Sequence, residues 1–311
     1  MNRRELMGAA LGLAVAAAPG ELFAQNVQRF RAAATPIEGD SLLWLAQSEG
    51  YFARAGIQLD VQALGSGDAT AAAIVGGDIT IGSLNTLSLA TAHQNGADFK
   101  IVAAGAQFVS GRGVLELMVK AGSPITSGTG LSGKTIAVNV LHGSGQIASE
   151  AWVDKHGGDS KSVQWAEMPF GTMQAALESG RIDAAAIAQP WAAAALTTCR
   201  SLGVPNEAIA PRFLIGAYVA LGSWIAANAD AARQIRSALS ACAHWYDTDP
   251  AASTQAVAVL TKQDPAVVAK SARTIFGETV TPALVQPLID VGARYGILKS
   301  RFPAADIIAQ L

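Results

Sequence analysis

Four short stretches of the chain carry polar residues suited to holding a small molecule. Gly143-Ser144-Gly145 stands between an apolar run, 135–140, and a helical pattern that starts near Gln146. Glycines let backbone amides approach an anion closely, and a helix N-terminus adds unpaired N–H groups and a favourable dipole. The same three residues also make an ordinary tight turn. Gly65-Ser66-Gly67 and Ser83-Leu84-Asn85 repeat the arrangement earlier in the chain, as ligand loops or as helix caps. The fourth stretch, Gly180 to Trp191, runs through a glycine, the small apolar segment 182–188, and then Gln189-Pro190-Trp191. An amide directly after a buried strand needs hydrogen-bond partners, which makes Gln189 a candidate contact. Trp191 and Phe170 either stack on a ligand or pack in a core, and Trp44 poses the same choice. Glu38 lies in a turn, where it binds an amine or solvates the loop. His142 is a pH-sensitive contact or an exposed turn residue.

Covalent chemistry finds few candidates. The histidines are His93, His142, His156 and His244, with no pair at metal-ligand spacing. Gly143-Ser144-Gly145 lacks the frame of a nucleophile elbow and has no Lys-Ser/Thr after it, so it is neither a hydrolase motif nor a phosphate loop. The expectation is a non-enzyme without metal or cofactor. The enzymic alternative uses His142 or Glu38 as an acid–base group.

Strand-like runs at 29–34, 57–63, 79–81 and 100–104 alternate with helical patterns, the order of a parallel sheet covered on both faces. A polar break at 107–110 and a strand over 113–120 lead to a second series. Its strands lie at 135–140, 162–167 and 182–188, with helices at 146–156, 171–177 and 190–198. A strand within 213–225 returns to the first series. From Ala229 only helices are expected, with Pro250, Pro265 and Pro282 in first turns, where no amide donor is needed. The pattern predicts an α/β protein of two lobes, residues 25–112 with 222–311 and residues 113–221. Two strands, near Gly113 and Ala220, cross between them, and the strand ends face a common cleft, where ligands of open α/β sheets bind.

The 311 residues suffice for two domains, and a composition 50% hydrophobic and 15% charged is that of a globular protein. A net charge of −2 without a basic cluster excludes a nucleic-acid surface. Arg3-Arg4, the uncharged stretch Leu6 to Ala18 and a cut after Ala24 read as a cleaved export signal over residues 1–24. Its form is similar to a twin-arginine signal. Its removal takes two arginines and two glutamates, so the charge is unchanged. Cys199 and Cys242 are expected to be separate buried thiols.

Glu49-Gly50-Tyr51-Phe52-Ala53, Gly77-Asp78-Ile79-Thr80-Ile81-Gly82, Leu131-Ser132-Gly133-Lys134-Thr135-Ile136-Ala137-Val138, Gly143-Ser144 and Gly180-Arg181-Ile182-Asp183-Ala184-Ala185 with Gln189-Pro190 form an ordered set. In this set the chain resembles the periplasmic solute-binding proteins of ABC importers for nitrate, sulfonates, taurine and pyrimidine precursors, the NMT1-like group. The resemblance implies a type II two-lobed fold, a ligand between the lobes and delivery to a membrane permease. It also implies contacts from Pro36, Glu38 and Gly39, Ser66 and Gly67, Ser83 and Asn85, His142, Gly143 and Ser144, and Gln189 and Trp191. The group often has an acidic residue where this chain has Gln189. The cysteine-rich motif of the related pyrimidine synthases is absent. The expected protein is a periplasmic, monomeric carrier of a small, anionic organic molecule, a sulfonate, nitrate-like anion or carboxylate, with an aromatic heterocycle stacked by Trp or Phe as the alternative. No Arg or Lys marks the strand ends; Arg112, the nearest cationic candidate, contacts the solute or only sits at the crossover. A sensor that docks on a membrane receptor is the other non-enzymic option.

Overall fold

The structure, a computed structural model, describes residues 27–311. The expected signal at 1–24, its arginine pair included, lies outside these residues. The first half of the chain runs β1 (Gln28–Ala34), α1 (Leu42–Ser48), α2 (Tyr51–Arg54), β2 (Ile57–Ala63), α3 (Gly67–Val75), β3 (Ile81–Asn85), α4 (Thr86–Gln94), β4 (Phe99–Ala104) and β5 (Ala106–Val109). The middle consists of β6 (Leu115–Lys120), β7 (Thr135–Val138), α5 (Ser144–Lys155), β8 (Gln164–Glu167), α6 (Phe170–Glu178), β9 (Ala184–Ala188), α7 (Trp191–Ala195) and β10 (Cys199–Gly203). The remainder is β11 (Arg212–Leu214), β12 (Gly216–Leu221), α8 (Gly222–Ala227), α9 (Ala229–Thr248), α10 (Pro250–Thr261), α11 (Pro265–Lys270), β13 (Ile275–Phe276) and α12 (Pro282–Arg294).

Two five-stranded sheets form the two lobes, ordered β2-β1-β3-β12-β4 and β10-β6-β9-β7-β8. In the first, β2, β1 and β3 are parallel as expected, but β12 enters antiparallel between β3 and β4. Residues 216–221 were expected in the second lobe. Their ladders to β3 and β4 put them in the first, so the chain returns earlier than residue 222, between β10 and β12. The expected polar break at 107–110 is largely strand β5, which pairs with β11 and β13 in a small third sheet. The expected helix over 190–198 stops at Ala195 and gives way to β10.

Small residues set how closely the helices approach these sheets. Ala32, Ala33 and Ala34 of β1 and Ala184, Ala185 and Ala186 of β9 are buried on both faces, as parallel strands covered by helices require. α9 supplies the longest covering surface. Its Ala231, Ile235, Ala238, Leu239, Cys242 and Tyr246 recur at three- and four-residue intervals and are buried against the first sheet's core. Asp249 and Asp264 cap the next two helices by accepting from Ala252 N at 3.1 Å and Ala266 N at 2.7 Å, each ahead of a proline in the first turn. The two cysteines are free, buried and in separate lobes.

The two passages between lobes lie side by side. Glu207 accepts from Ser110 Oγ at 2.7 Å and from Gly111 N at 2.8 Å, tying the second passage to the first. A Cβ placed on Gly113 would stand 2.3 Å from Val204 Cγ1, so this approach requires glycine. Substituting Gly113→Ala should lower stability by about 1–3 kcal/mol through overpacking, and adding Val204→Ala should restore part of it. Urea-unfolding midpoints of the two variants check this.

Candidate functional site

A cleft of about 660 Å³ lies between the lobes and takes residues from both. Its first-lobe wall is the 35–40 turn, the 65–68 loop, Ser83, Asn85 and Ser88. The second lobe contributes residues 139–145 except His142, then 167–171, Gln189 and Trp191. Both walls form where parallel strands end and helices begin, so the N-termini of α3, α4, α5 and α6 meet the cavity. Each terminus leaves backbone amides without intrahelical partners.

Side chains satisfy some of these donors. Ser66 caps α3 by accepting from Ala69 N at 3.2 Å, and Asn85 Oδ1 caps α4 by accepting from Leu87 N at 2.9 Å. The other end of Asn85 donates from Nδ2 to Ser144 Oγ, at the first residue of α5. One amide side chain thus spans the cleft and joins the lobes. On the flank, Tyr295 Oη of the first lobe donates to Asp154 Oδ2 of α5 at 2.9 Å.

Pro36, Glu38, Gly39, Ser66, Gly67, Ser83, Asn85, Gly143, Ser144, Phe170, Gln189 and Trp191 all line this cavity. His142 does not. It has a left-handed backbone, φ 61°, and is exposed beside the cleft; its N–H donates to Gln146 Oε1 at 2.8 Å, which turns the chain into α5. Phe170 and Trp191 stack on each other, ring centroids 5.6 Å apart and 25° between planes, and face the cavity together. Trp44 instead packs against the first-lobe core. Gln189 Oε1 accepts from Ala193 N at 3.2 Å, which orients the side chain along the short α7.

The strand ends carry no cation, as expected, whereas the acidic residues around them were not expected. Arg112 is exposed at the first passage and is not in the lining. The described lining contains no Arg or Lys, whereas Glu38, Asp40, Asp68 and Glu167 belong to it. Glu38 is buried; Tyr246 Oη and Thr274 N, at 3.1 Å, donate to its carboxylate. Burial holds its carboxyl above the usual range, against the pull of these donors and of Arg273. Arg273 itself stands over the Tyr246 ring, 4.3 Å from its centroid, and donates to Tyr246 O. This assembly fastens the 35–40 turn to the C-terminal helices.

Asp40, in the same turn as Glu38, lines the cleft without being among the residues expected there. Its Oδ1 accepts from Ser83 Oγ at 2.6 Å, which joins the 35–40 turn to the end of β3. Burial pushes its carboxyl up to about 6, partly offset by donors from Ser83 and Thr35. Asn206, on the second passage, was also missed; it lines the cleft and is 4% exposed, with no partner for Oδ1. A carboxyl two residues after Glu38 was the sequence signal for Asp40. Asn206 had none, because its place depends on the passages packing together.

The model of the family described as NMT1/THI5 like matches residues 41–253, which include the whole second lobe. The chain belongs to that family. No curated protein is significantly similar to this NMT1/THI5-like chain in sequence. Its fold is that of periplasmic binding proteins. The aliphatic sulphonate binding protein SsuA of Escherichia coli is 18% identical, with TM-score 0.75 over 91% of this chain and 92% of that one. The alkanesulfonate-binding SsuA of Xanthomonas axonopodis pv. citri, bound to MOPS, is 18% identical, with TM-score 0.75 over 90% and 98%. The nitrate-binding NrtA of Synechocystis PCC 6803 is 14% identical, with TM-score 0.69 over 88% and 82%.

The raised Asp40 carboxyl has a defined effect on stability. The folded protein binds this proton more tightly than the unfolded chain does. Asp40's contribution is therefore complete below the ordinary value of 3.8 and is lost as pH rises through about 6. Two pH units correspond to at most about 3 kcal/mol. Asp40→Asn should remove this portion of the pH dependence between pH 4 and 6.5, as about one measured melting curve per half pH unit would reveal.

Proposed function

We propose that this NMT1/THI5-like protein is a periplasmic solute-binding protein. It takes a small organic molecule into the cleft, closes over it and presents the closed form to an ABC-type membrane permease. The observation that carries the reading is the two-sided cavity of about 660 Å³ at which helix N-termini of both lobes converge. Its volume is in the range of small-molecule sites. The amides at α5 and α6 suit an acidic group on the solute, in the way helix N-termini hold anions without a cationic side chain. The stacked Phe170 and Trp191 offer an apolar face for its organic part. The ligands of the structural relatives, sulfonates and nitrate, support an anionic group.

The composition of the lining supports carriage of the solute over its turnover. The histidine considered as an acid–base group is outside the cavity. Glu38, the other such candidate, is occupied by Tyr246 and Thr274. Export through residues 1–24 would place the carrier, as a monomer, where a permease meets it.

A thermal-shift panel of sulfonates, carboxylates, nitrate and aromatic heterocycles tests the reading. The true solute at a hundred times its Kd should stabilise the protein by about 2.7 kcal/mol. Absence of a shift with every class would reject solute binding. Gln189→Ala should weaken that solute by roughly tenfold, the cost of one hydrogen bond, and leave the ligand-free melting temperature nearly unchanged.

A further inference from the structure

Helix α5 is buried on two sides. Trp152 and Val153 belong to the core of the second sheet, with Leu117, Val119, Ile136 and Ala184. Ile147 and Ala151 are equally buried but belong to the cluster that the first sheet builds with α4 and α12. Ser144, Ile147, Ala151 and Asp154 recur at intervals of three, four and three, which puts them on one face of the helix. The two apolar residues of this stripe therefore lie between two bonds to the first lobe. At the cleft end Asn85 Nδ2 donates to Ser144 Oγ, and at the far end Tyr295 Oη donates to Asp154 Oδ2 at 2.9 Å. Tyr295 directly follows α12, which packs on α5. Asp154 divides its carboxylate between the lobes, since Oδ1 accepts from Ser160 N of its own lobe at 2.9 Å.

The stripe runs along about 15 Å of helix. With Trp152 and Val153 packed in the second lobe, α5 moves with that lobe. A rotation that kept both end bonds would have to turn about α5 itself. Its N-terminus points into the cavity, so such a turn twists the lobes without parting them. Parting them breaks at least one of the bonds and brings water onto Ile147 and Ala151, at the cost of exposing apolar surface.

We propose that this stripe is a latch that holds a share of the solute-free protein closed, and that Tyr295 sets the size of that share from outside the cleft. Tyr295 is not in the lining, so it acts on the lobes and not on the solute. A solute that binds the closed form has an apparent affinity proportional to the closed share, so the latch tunes affinity for every solute alike. The link to affinity rests on the solute-binding reading above; the latch itself does not depend on what the cleft holds.

Interlobe distances in the solute-free protein, measured by double electron–electron resonance, test this. Val75→Cys at the end of α3 and Leu196→Cys just after α7 give one exposed labelling site per lobe, while the native Cys199 and Cys242 are buried. The otherwise unchanged protein should show a short and a long distance. Tyr295→Phe should lower the ratio of short to long roughly two- to tenfold, the value of one hydrogen bond. Ile147→Val, which removes one methyl from the stripe, should move the ratio in the same direction. An unchanged ratio in Tyr295→Phe overturns the proposal, as does a rise in the short distance or a single distance before either substitution. None of these results bears on the thermal-shift test, so the latch and solute binding fail separately.

Discussion

Helix N-termini from two lobes face one another across one cavity, and their unpaired amides must find acceptors there. Much of the surrounding structure can be understood as meeting that demand. Ser66 and Asn85 supply acceptors to α3 and α4 from within the chain. Asn85 then turns its donor end to Ser144 at the start of α5, so a helix cap becomes a bridge between lobes. The amides of α5 and α6 are where the proposed function seats an acidic group on the solute.

The strands are arranged to bring these termini together. Each lobe is a sheet whose parallel strands end at the cleft, and the two passages of the chain between lobes are tied by Glu207 and by the close packing of Gly113 on Val204. A pair of adjacent passages permits the lobes to rotate about a common line, the geometry of hinge closure. Glu38 and Arg273 anchor the 35–40 turn to α9 and α10.

Much of this plan was legible in the sequence because it is local. Glycine, a short apolar run and a polar residue mark the strand ends at 83–85 and 189–191, and Gly-Ser-Gly marks the loops at 65–67 and 143–145; the family resemblance adds 36–39 and His142, the last of which lies outside the lining. What was not legible depends on distant partners. Residues 106–109 form a strand only because β11 and β13 pair with them, and 216–221 lie in the first sheet only because β3 and β4 flank them. The acidic part of the lining was not legible for the same reason. Glycine loops suggest an anion, whereas Asp40 enters the lining through its bond to Ser83, more than forty residues away.

Small-angle X-ray scattering with and without the solute identified by thermal shift tests the central claim most directly. A carrier that closes on its solute should scatter with a smaller radius of gyration when saturated, and should populate the open form when the Asn85–Ser144 bond and the solute are both removed. Identical scattering from the solute-free and saturated protein, with binding verified in the same samples, would contradict closure as the way this protein holds its solute.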